Sequence, residues 1–284
     1  MTDLDPTTQS LIRLALEEDI GTGDVTAEFF TPADAVSRGR IVAREPGVLA
    51  GISVAAAVFL EVDATLQVHV IKTDGASLEK DDAVLEVAGS SRSLLTAERT
   101  ALNFLQRLSG IATQTRRHVR ALGSAKARLL DTRKTTPGFR MLEKAAVRAG
   151  GGTNHRMGLH DMAMVKDNHL LAENRLPELQ AAIDRLRAAR PGIRVELEAD
   201  RISLVEGFLT LRGVDVILLD NMSLPDMRRC VELTGGRVAL EASGGVTLER
   251  LPEIAATGVD FISCGALTHS ARALDLSLDF EPVR

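Results

Sequence analysis

The chain has 284 residues, of which 45% are hydrophobic and 26% charged, with 23 glycines and 9 prolines. These globular proportions exclude a disordered or fibrous chain and leave room for one large domain or two ordinary ones. A net charge of −5 argues against a general nucleic-acid binder, and no apolar run is long enough to span a bilayer.

In chain order, apolar residues at Leu11, Ile12, Leu14, Ala15 and Leu16 predict a helix over 7–18, broken by Gly21-Thr22-Gly23-Asp24. A strand follows over 38–48, ending at the Pro46-Gly47 turn, then a helix over 51–59 and strands over 66–71 and 83–87. Strands and helices mixed without a repeat indicate an α+β module. Residues 93–122 carry one long helical pattern, of a length that bridges domains, with Gly110 as a candidate kink.

After Gly123 the chain becomes a repeat of aliphatic strands, each running into a polar residue and a helix-length segment. The strands fall at 127–130, 162–165, 193–197, 214–219, 238–240 and 259–262, the later ones about every 22 residues. Six βα units predict an incomplete α/β barrel, short of a full eightfold one, with an open doubly wound sheet as the alternative. The absence of Trp and Tyr agrees with this, because parallel strands bury aliphatic runs.

Charge is unevenly placed. Eight acidic residues and a single base, Arg13, precede residue 36, whereas residues 126–169 hold nine Lys/Arg against four Asp/Glu. The strand ends read Asp131-Thr132-Arg133-Lys134, Lys166-Asp167-Asn168, Glu198, Asp220-Asn221, Glu241-Ala242-Ser243-Gly244-Gly245 and Cys264-Gly265-Ala266. Parallel β/α folds gather such ends at one face, where sites are built from successive loops. Two like charges about 4 Å apart repel by about 4 kcal/mol at an effective dielectric near 20. Arg133, Lys134, His155, Arg156 and Lys166 in one pocket are therefore expected to need anions there. Ser243-Gly244-Gly245 and Gly265-Ala266, after the last two strands, suit phosphate held by backbone N–H groups.

Other chemistries fit less well. His155 and His160 lack a zinc-site spacing, and neither a Walker-type nor a dinucleotide glycine motif is present. Lys166 at a strand end could form a Schiff base, although the surrounding arginines exceed what a simple carbonyl substrate needs. Cys230 and Cys264 offer no disulfide framework, and the acidic N-terminus lacks a signal-peptide pattern, so the cytoplasm is the expected location.

Several stretches carry a resemblance to a known family. They are Glu18-Asp-Ile-Gly-Thr-Gly-Asp-Val-Thr26, Glu98-Arg-Thr-Ala-Leu-Asn-Phe104, Asp131-Thr-Arg-Lys-Thr-Thr-Pro-Gly-Phe-Arg140 and Gly151-Gly-Thr-Asn-His-Arg-Met-Gly-Leu-His-Asp161. Lys166-Asp167-Asn168-His169, Leu219-Asp220-Asn221, Glu241-Ala-Ser-Gly-Gly245 and Gly265-Ala-Leu-Thr268 extend them almost to the C-terminus. Together they resemble quinolinate phosphoribosyltransferase (nicotinate-nucleotide pyrophosphorylase, carboxylating).

The resemblance implies an N-terminal α/β sandwich domain over 1–110, with the tail at 275–284 packing back on it, and an incomplete, about six-stranded barrel over 111–274. It implies that quinolinate and 5-phosphoribosyl-1-pyrophosphate give nicotinate mononucleotide, pyrophosphate and CO2 in NAD biosynthesis, with Mg2+. Arg99, Arg133, His155, Arg156 and Lys166 are then expected on quinolinate, Lys134 and its neighbours near pyrophosphate, and Thr132 within the substrate-binding set. Glu198 and Asp220 would face the ribose and its Mg2+. Ser243, Gly244 and Gly245 with Cys264, Gly265 and Ala266 would take the 5-phosphate. The catalytic set is Lys134, Lys166, Glu198 and Asp220.

Strand alternation places Glu196 on the same face as Glu198, so either could be the functional carboxylate; Glu198, at the strand end, is preferred. Family members form homodimers, or hexamers built from dimers, in which the residue matching Arg99 enters the neighbour's site. The competing assignments are a same-fold paralogue such as the molybdenum-transport-associated homologue, a Schiff-base aldolase using Lys166, and a non-catalytic binder of anionic metabolites.

Overall fold

Asp5 begins the first helix: its carboxylate accepts the N–H groups of Thr7 and Thr8, while Pro6 takes a first-turn position that needs no hydrogen bond. The computed structural model describes residues 4–166 and 176–282, so Asp167, Asn168 and His169 lie outside the described residues. The elements run α1 (Pro6–Ile20), α2 (Val25–Phe30), β1 (Val36–Ala43), β2 (Gly47–Val48), α3 (Ile52–Val62), β3 (Gln67–Val70), β4 (Ser77–Leu78), β5 (Ala83–Ser90) and α4 (Ser91–Ala121). They continue with β6 (Arg128–Leu130), α5 (Arg140–Ala149), β7 (Met162–Val165), α6 (Leu176–Ala189), β8 (Arg194–Ala199), α7 (Ile202–Phe208) and β9 (Val216–Asp220). The last are α8 (Leu224–Thr234), β10 (Ala239–Ser243), α9 (Leu251–Ala255), β11 (Phe261–Ser263), α10 (Ala266–His269) and β12 (Leu276–Pro282).

The chain divides into two compact units. Residues 1–116, 135–151 and 270–284 form the first, and residues 117–134 and 152–269 the second.

In the first unit an antiparallel sheet has the order β12-β1-β5-β3, with Ile41 opposite Leu278 on one side and Leu85 on the other. Ile41, Leu85 and Val87 of the sheet are buried, as are Val58, Phe59, Leu94 and Leu105 of the helices. The strand expected over 38–48 is two strands. β1 stops at Ala43, and Gly47–Val48 pairs separately with Ser77–Leu78. Pro46, without an N–H, cannot continue a ladder between them. α2 was not expected; Asp24 caps it by accepting from Thr26 and Ala27 N–H. α4 is a single helix past Gly110. A Cβ at that position would lie 2.0 Å from the Arg272 carbonyl, so this glycine admits a close chain crossing and does not mark a kink.

The second unit is one parallel sheet in the order β6-β11-β10-β9-β8-β7. Its first strand pairs with its last. An open doubly wound sheet reverses strand order at its centre, whereas this order runs round in sequence, as a barrel does. At the remaining gap, Leu130 of β6 makes a parallel bridge with Thr153, ahead of β7. Every second strand residue faces inward. Arg128 and Leu130, Glu196 and Glu198, Val216, Leu218 and Asp220, and Glu241 and Ser243 all line interior cavities. Among the described residues no helix is long and apolar enough to cross a membrane.

Candidate functional site

The carboxyl ends of the second unit's strands enclose a cavity of about 600 Å³. Thr132, Arg133 and Lys134 reach it directly after β6, and Lys166 directly after β7. Glu198 enters from near the end of β8, Asp220 from the end of β9, and Ser243, Gly244 and Gly245 from the end of β10. Cys264, Gly265 and Ala266 follow Ser263, which lines the cavity, but they are not part of the lining themselves. Arg99 lies exposed on α4, in the first unit.

His155 and Arg156 also line this cavity although they precede a strand. The Leu130–Thr153 bridge explains the placement. Thr153 behaves as a one-residue parallel strand, and the residues after it stand where other loops leave theirs. Buried Asp131 fixes the turn, accepting from His155 N at 2.8 Å and from Asn154 Nδ2 at 2.5 Å. Asp161 fixes its far side through Met157 and Gly158 N–H groups.

Beneath the mouth lies a second cavity of about 280 Å³, opening among the amino ends of the strands and sharing His155, Arg156 and Glu241 with the first. His155 Nε2 stands 3.2 Å from Glu196 Oε2 and 3.4 Å from Glu241 Oε2, and all three side chains are almost wholly buried. Burial disfavours charge on His155, but the two carboxylates outweigh it and push its pKa up to about 9. Burial raises that of Glu196 as well. His155 Nδ1 accepts the Arg156 N–H at 2.7 Å, which puts the ring proton on Nε2, facing the two carboxylates. The three ligand atoms lie within 4.8 Å of one another, close enough for a metal ion. A protonated Nε2 has no lone pair to give one.

The protein supplies carboxylates of its own against part of this positive charge. Lys166 Nζ pairs with Glu198 Oε2 at 2.7 Å, Glu196 and Glu241 hold His155 from below, and Asp220 lines the same mouth. Their arrangement is what distinguishes the two glutamates of β8: Glu198 faces the mouth, and Glu196 the lower cavity. Lys166 is half-exposed beside a carboxylate, unlike the apolar surroundings that activate Schiff-base lysines.

Glu241 and Asn221 are among the lining residues that went unassigned in the sequence. Glu241 shares the inward face of β10 with Ser243, two residues on, a spacing that alternation alone could have flagged. Asn221 adopts φ 53°, donates from Nδ2 to Asp220 Oδ2 at 2.9 Å, and lays its Oδ1 against Gly244. A Cβ on Gly244, itself at φ 92°, would stand 2.1 Å from that oxygen, so only glycine fits. Lys134 is tied to the loop after β11, its carbonyl accepting from Thr268 Oγ1 at 2.8 Å. Burial pushes the Cys264 thiol pKa up, which disfavours the reactive thiolate.

Residues 24–109 match the N-terminal domain of quinolinate phosphoribosyl transferase and residues 111–279 its C-terminal domain. The chain is 44% identical over 262 residues to a probable nicotinate-nucleotide pyrophosphorylase [carboxylating] of Bacillus subtilis, covering 92% of this chain and 89% of that one. A nicotinate-nucleotide pyrophosphorylase [carboxylating] of Mycobacterium leprae is 44% identical over 274 residues, covering 94% of this chain and 95% of its own. The solved structure of the nicotinate-nucleotide pyrophosphorylase from Francisella tularensis superimposes with a TM-score of 0.91 at 38% identity, over 98% of both chains. With both domains and nearly the whole length matched, the chain belongs to the quinolinate phosphoribosyltransferase family.

Proposed function

We propose that this chain transfers the phosphoribosyl group of 5-phosphoribosyl-1-pyrophosphate to the ring nitrogen of quinolinate, giving nicotinate mononucleotide, pyrophosphate and CO2 for NAD synthesis. One observation carries the reading: a single cavity holds Arg133, Lys134, Arg156 and Lys166 together with Glu198, Asp220 and the Ser243–Gly245 turn. That set matches a dicarboxylate and a phosphorylated sugar diphosphate side by side.

In this reading Arg133, Arg156 and Lys166 hold the two carboxylates of quinolinate, and Thr132 lines the same cavity. His155 supports them from the floor, since both of its ring nitrogens are engaged within the protein. Lys134 faces the pyrophosphate, and Ser243 to Gly245, in the cavity wall, take the 5-phosphate through backbone N–H groups, with the Cys264-Gly265-Ala266 loop following Ser263 beside them. As the C1–oxygen bond breaks, its electron pair leaves on pyrophosphate, and the pyridine nitrogen gives its pair to C1. Glu198 and Asp220 offset the positive charge that develops on the ribose. The carboxylate adjacent to the new pyridinium then leaves as CO2; its bonding pair stays on the ring carbon, which takes up a proton.

Glu198 and Asp220 are also oxygen donors of the kind Mg2+ takes alongside substrate phosphates, and they would hold it. The ion would neutralise charge on the departing pyrophosphate. The enzyme would work in the cytoplasm as a homodimer, or as a hexamer built from dimers, with Arg99 entering the partner's site.

The test is turnover. The protein, given quinolinate, phosphoribosyl pyrophosphate and Mg2+, is expected to form nicotinate mononucleotide with one CO2 per product. Absence of product, or equal turnover of nicotinate in place of quinolinate, would refute the assignment.

A further inference from the structure

Two glutamates buried side by side under a substrate pocket are costly. Glu196 and Glu241 are 0% and 2% exposed, and among the described residues neither carboxylate oxygen of Glu196 has a hydrogen-bond partner, nor does Oε1 of Glu241. Burying a carboxylate without full pairing lowers stability, and replacing buried ionic groups by apolar ones of similar volume is often neutral or stabilising. Packing therefore does not account for the pair.

Its geometry does suggest a role. The segment from Thr153 to Asp161 contains no regular helix or strand, yet it carries Arg156 into the mouth. Asp131 holds its near end through Asn154 and His155, and Asp161 its far end through Met157 and Gly158. Between these anchors stands the His155 ring, its Nε2 at ion-pair distance from both glutamates, 3.2 and 3.4 Å, and its Nδ1 accepting the N–H of Arg156 itself. Among the described residues the Arg156 guanidinium contacts the Met162 carbonyl and the Met164 sulfur, each at 3.4 Å, and no carboxylate at ion-pair distance. Its direction is thus set mainly by its backbone, and its backbone by the ring.

We propose that Glu196 and Glu241 are positioning residues for the dicarboxylate subsite, acting through His155 to fix the backbone from which Arg156 reaches the substrate. The proposal rests on the functional reading above. The glutamates do not touch substrate; they act from the lower cavity, which shares His155, Arg156 and Glu241 with the mouth.

The test compares the Glu196→Met/Glu241→Met double variant, each single Met variant and the corresponding Gln variants with wild type. Methionine removes the acceptor at similar volume, while glutamine keeps one. The Met variants are expected to raise KM for quinolinate by about tenfold or more, as small displacements of binding groups do. KM for phosphoribosyl pyrophosphate should stay within about twofold, since its contacts lie elsewhere. The thermal midpoint should not fall, and the Gln variants should recover most of the loss. Wild-type turnover is measured first: its absence sinks the functional reading, whereas active wild type with unchanged quinolinate KM in the Met variants sinks this proposal alone. It is equally overturned if both KM values rise together with a lower thermal midpoint, or if Gln is no better than Met.

Discussion

Lys166 illustrates how stability and function separate at a single residue. Its ion pair with Glu198 is short, at 2.7 Å, but the ammonium is half-exposed. Exposed pairs of this kind contribute about 0–1 kcal/mol to folding. Lys166→Ala should therefore move the thermal midpoint little. The same change removes a cation from the cavity wall and leaves Glu198 facing the incoming anions unaccompanied. Loss of one electrostatic partner at a reacting centre typically costs about 10²–10³ in rate. Turnover by Lys166→Ala is accordingly expected to fall by that order while its melting curve overlays that of wild type. Near-normal turnover would mean that the cavity has been assigned to the wrong chemistry.

At the scale of elements, the parallel strands were legible because each is an aliphatic run with a polar end: the segment expected over 162–165 is β7 itself, and the others differ by a few residues. What periodicity could not register was anything shorter than a strand or dependent on a distant partner. Thr153 is one residue long as a strand, yet its bridge to Leu130 brings His155 and Arg156 into the site. Gly110 reads as a helix defect until the chain near Arg272 is laid across it. α2 was overlooked for a local reason: the glycines at 21 and 23 signalled a break, and Asp24 was counted with them although it caps the next helix.

That cap yields a prediction at the same scale. Hydrogen bonds to Asp24, first from Ala27 N–H and also from Thr96 Oγ1 and Thr26 N–H, hold its pKa below the usual carboxylate range. A depressed carboxylate stabilises the fold above its unfolded pKa, and that contribution is lost as pH falls through the folded value. Asp24→Ala should therefore cost about 1 kcal/mol at neutral pH, the usual worth of an N-cap. Denaturant midpoints of variant and wild type should converge on acidification below the ordinary carboxylate pKa. A difference that persists unchanged into acid would show that the cap does not contribute through its charge.

For the whole molecule the open matter is whether one chain makes a complete site. The barrel unit supplies four cations, the carboxylates and the Ser243–Gly245 turn, while Arg99 stands exposed on α4 in the other unit. If Arg99 serves a neighbouring subunit, two impaired variants should repair each other. Take Arg99→Ala and Lys166→Ala, each with turnover strongly reduced alone, and let their subunits exchange. In a mixed dimer, the subunit with intact Lys166 receives Arg99 from its partner, so one of its two sites has every group; the other lacks both. Random re-pairing makes half of the dimers mixed, and restored activity should approach about a quarter of wild type. Arg99 acting within its own chain predicts no recovery at any mixing ratio, because every site then lacks either Arg99 or Lys166. The measurement needs only the two purified variants, a step that lets subunits exchange, and the turnover assay, and it separates a shared site from a self-contained one without reference to how many dimers assemble further.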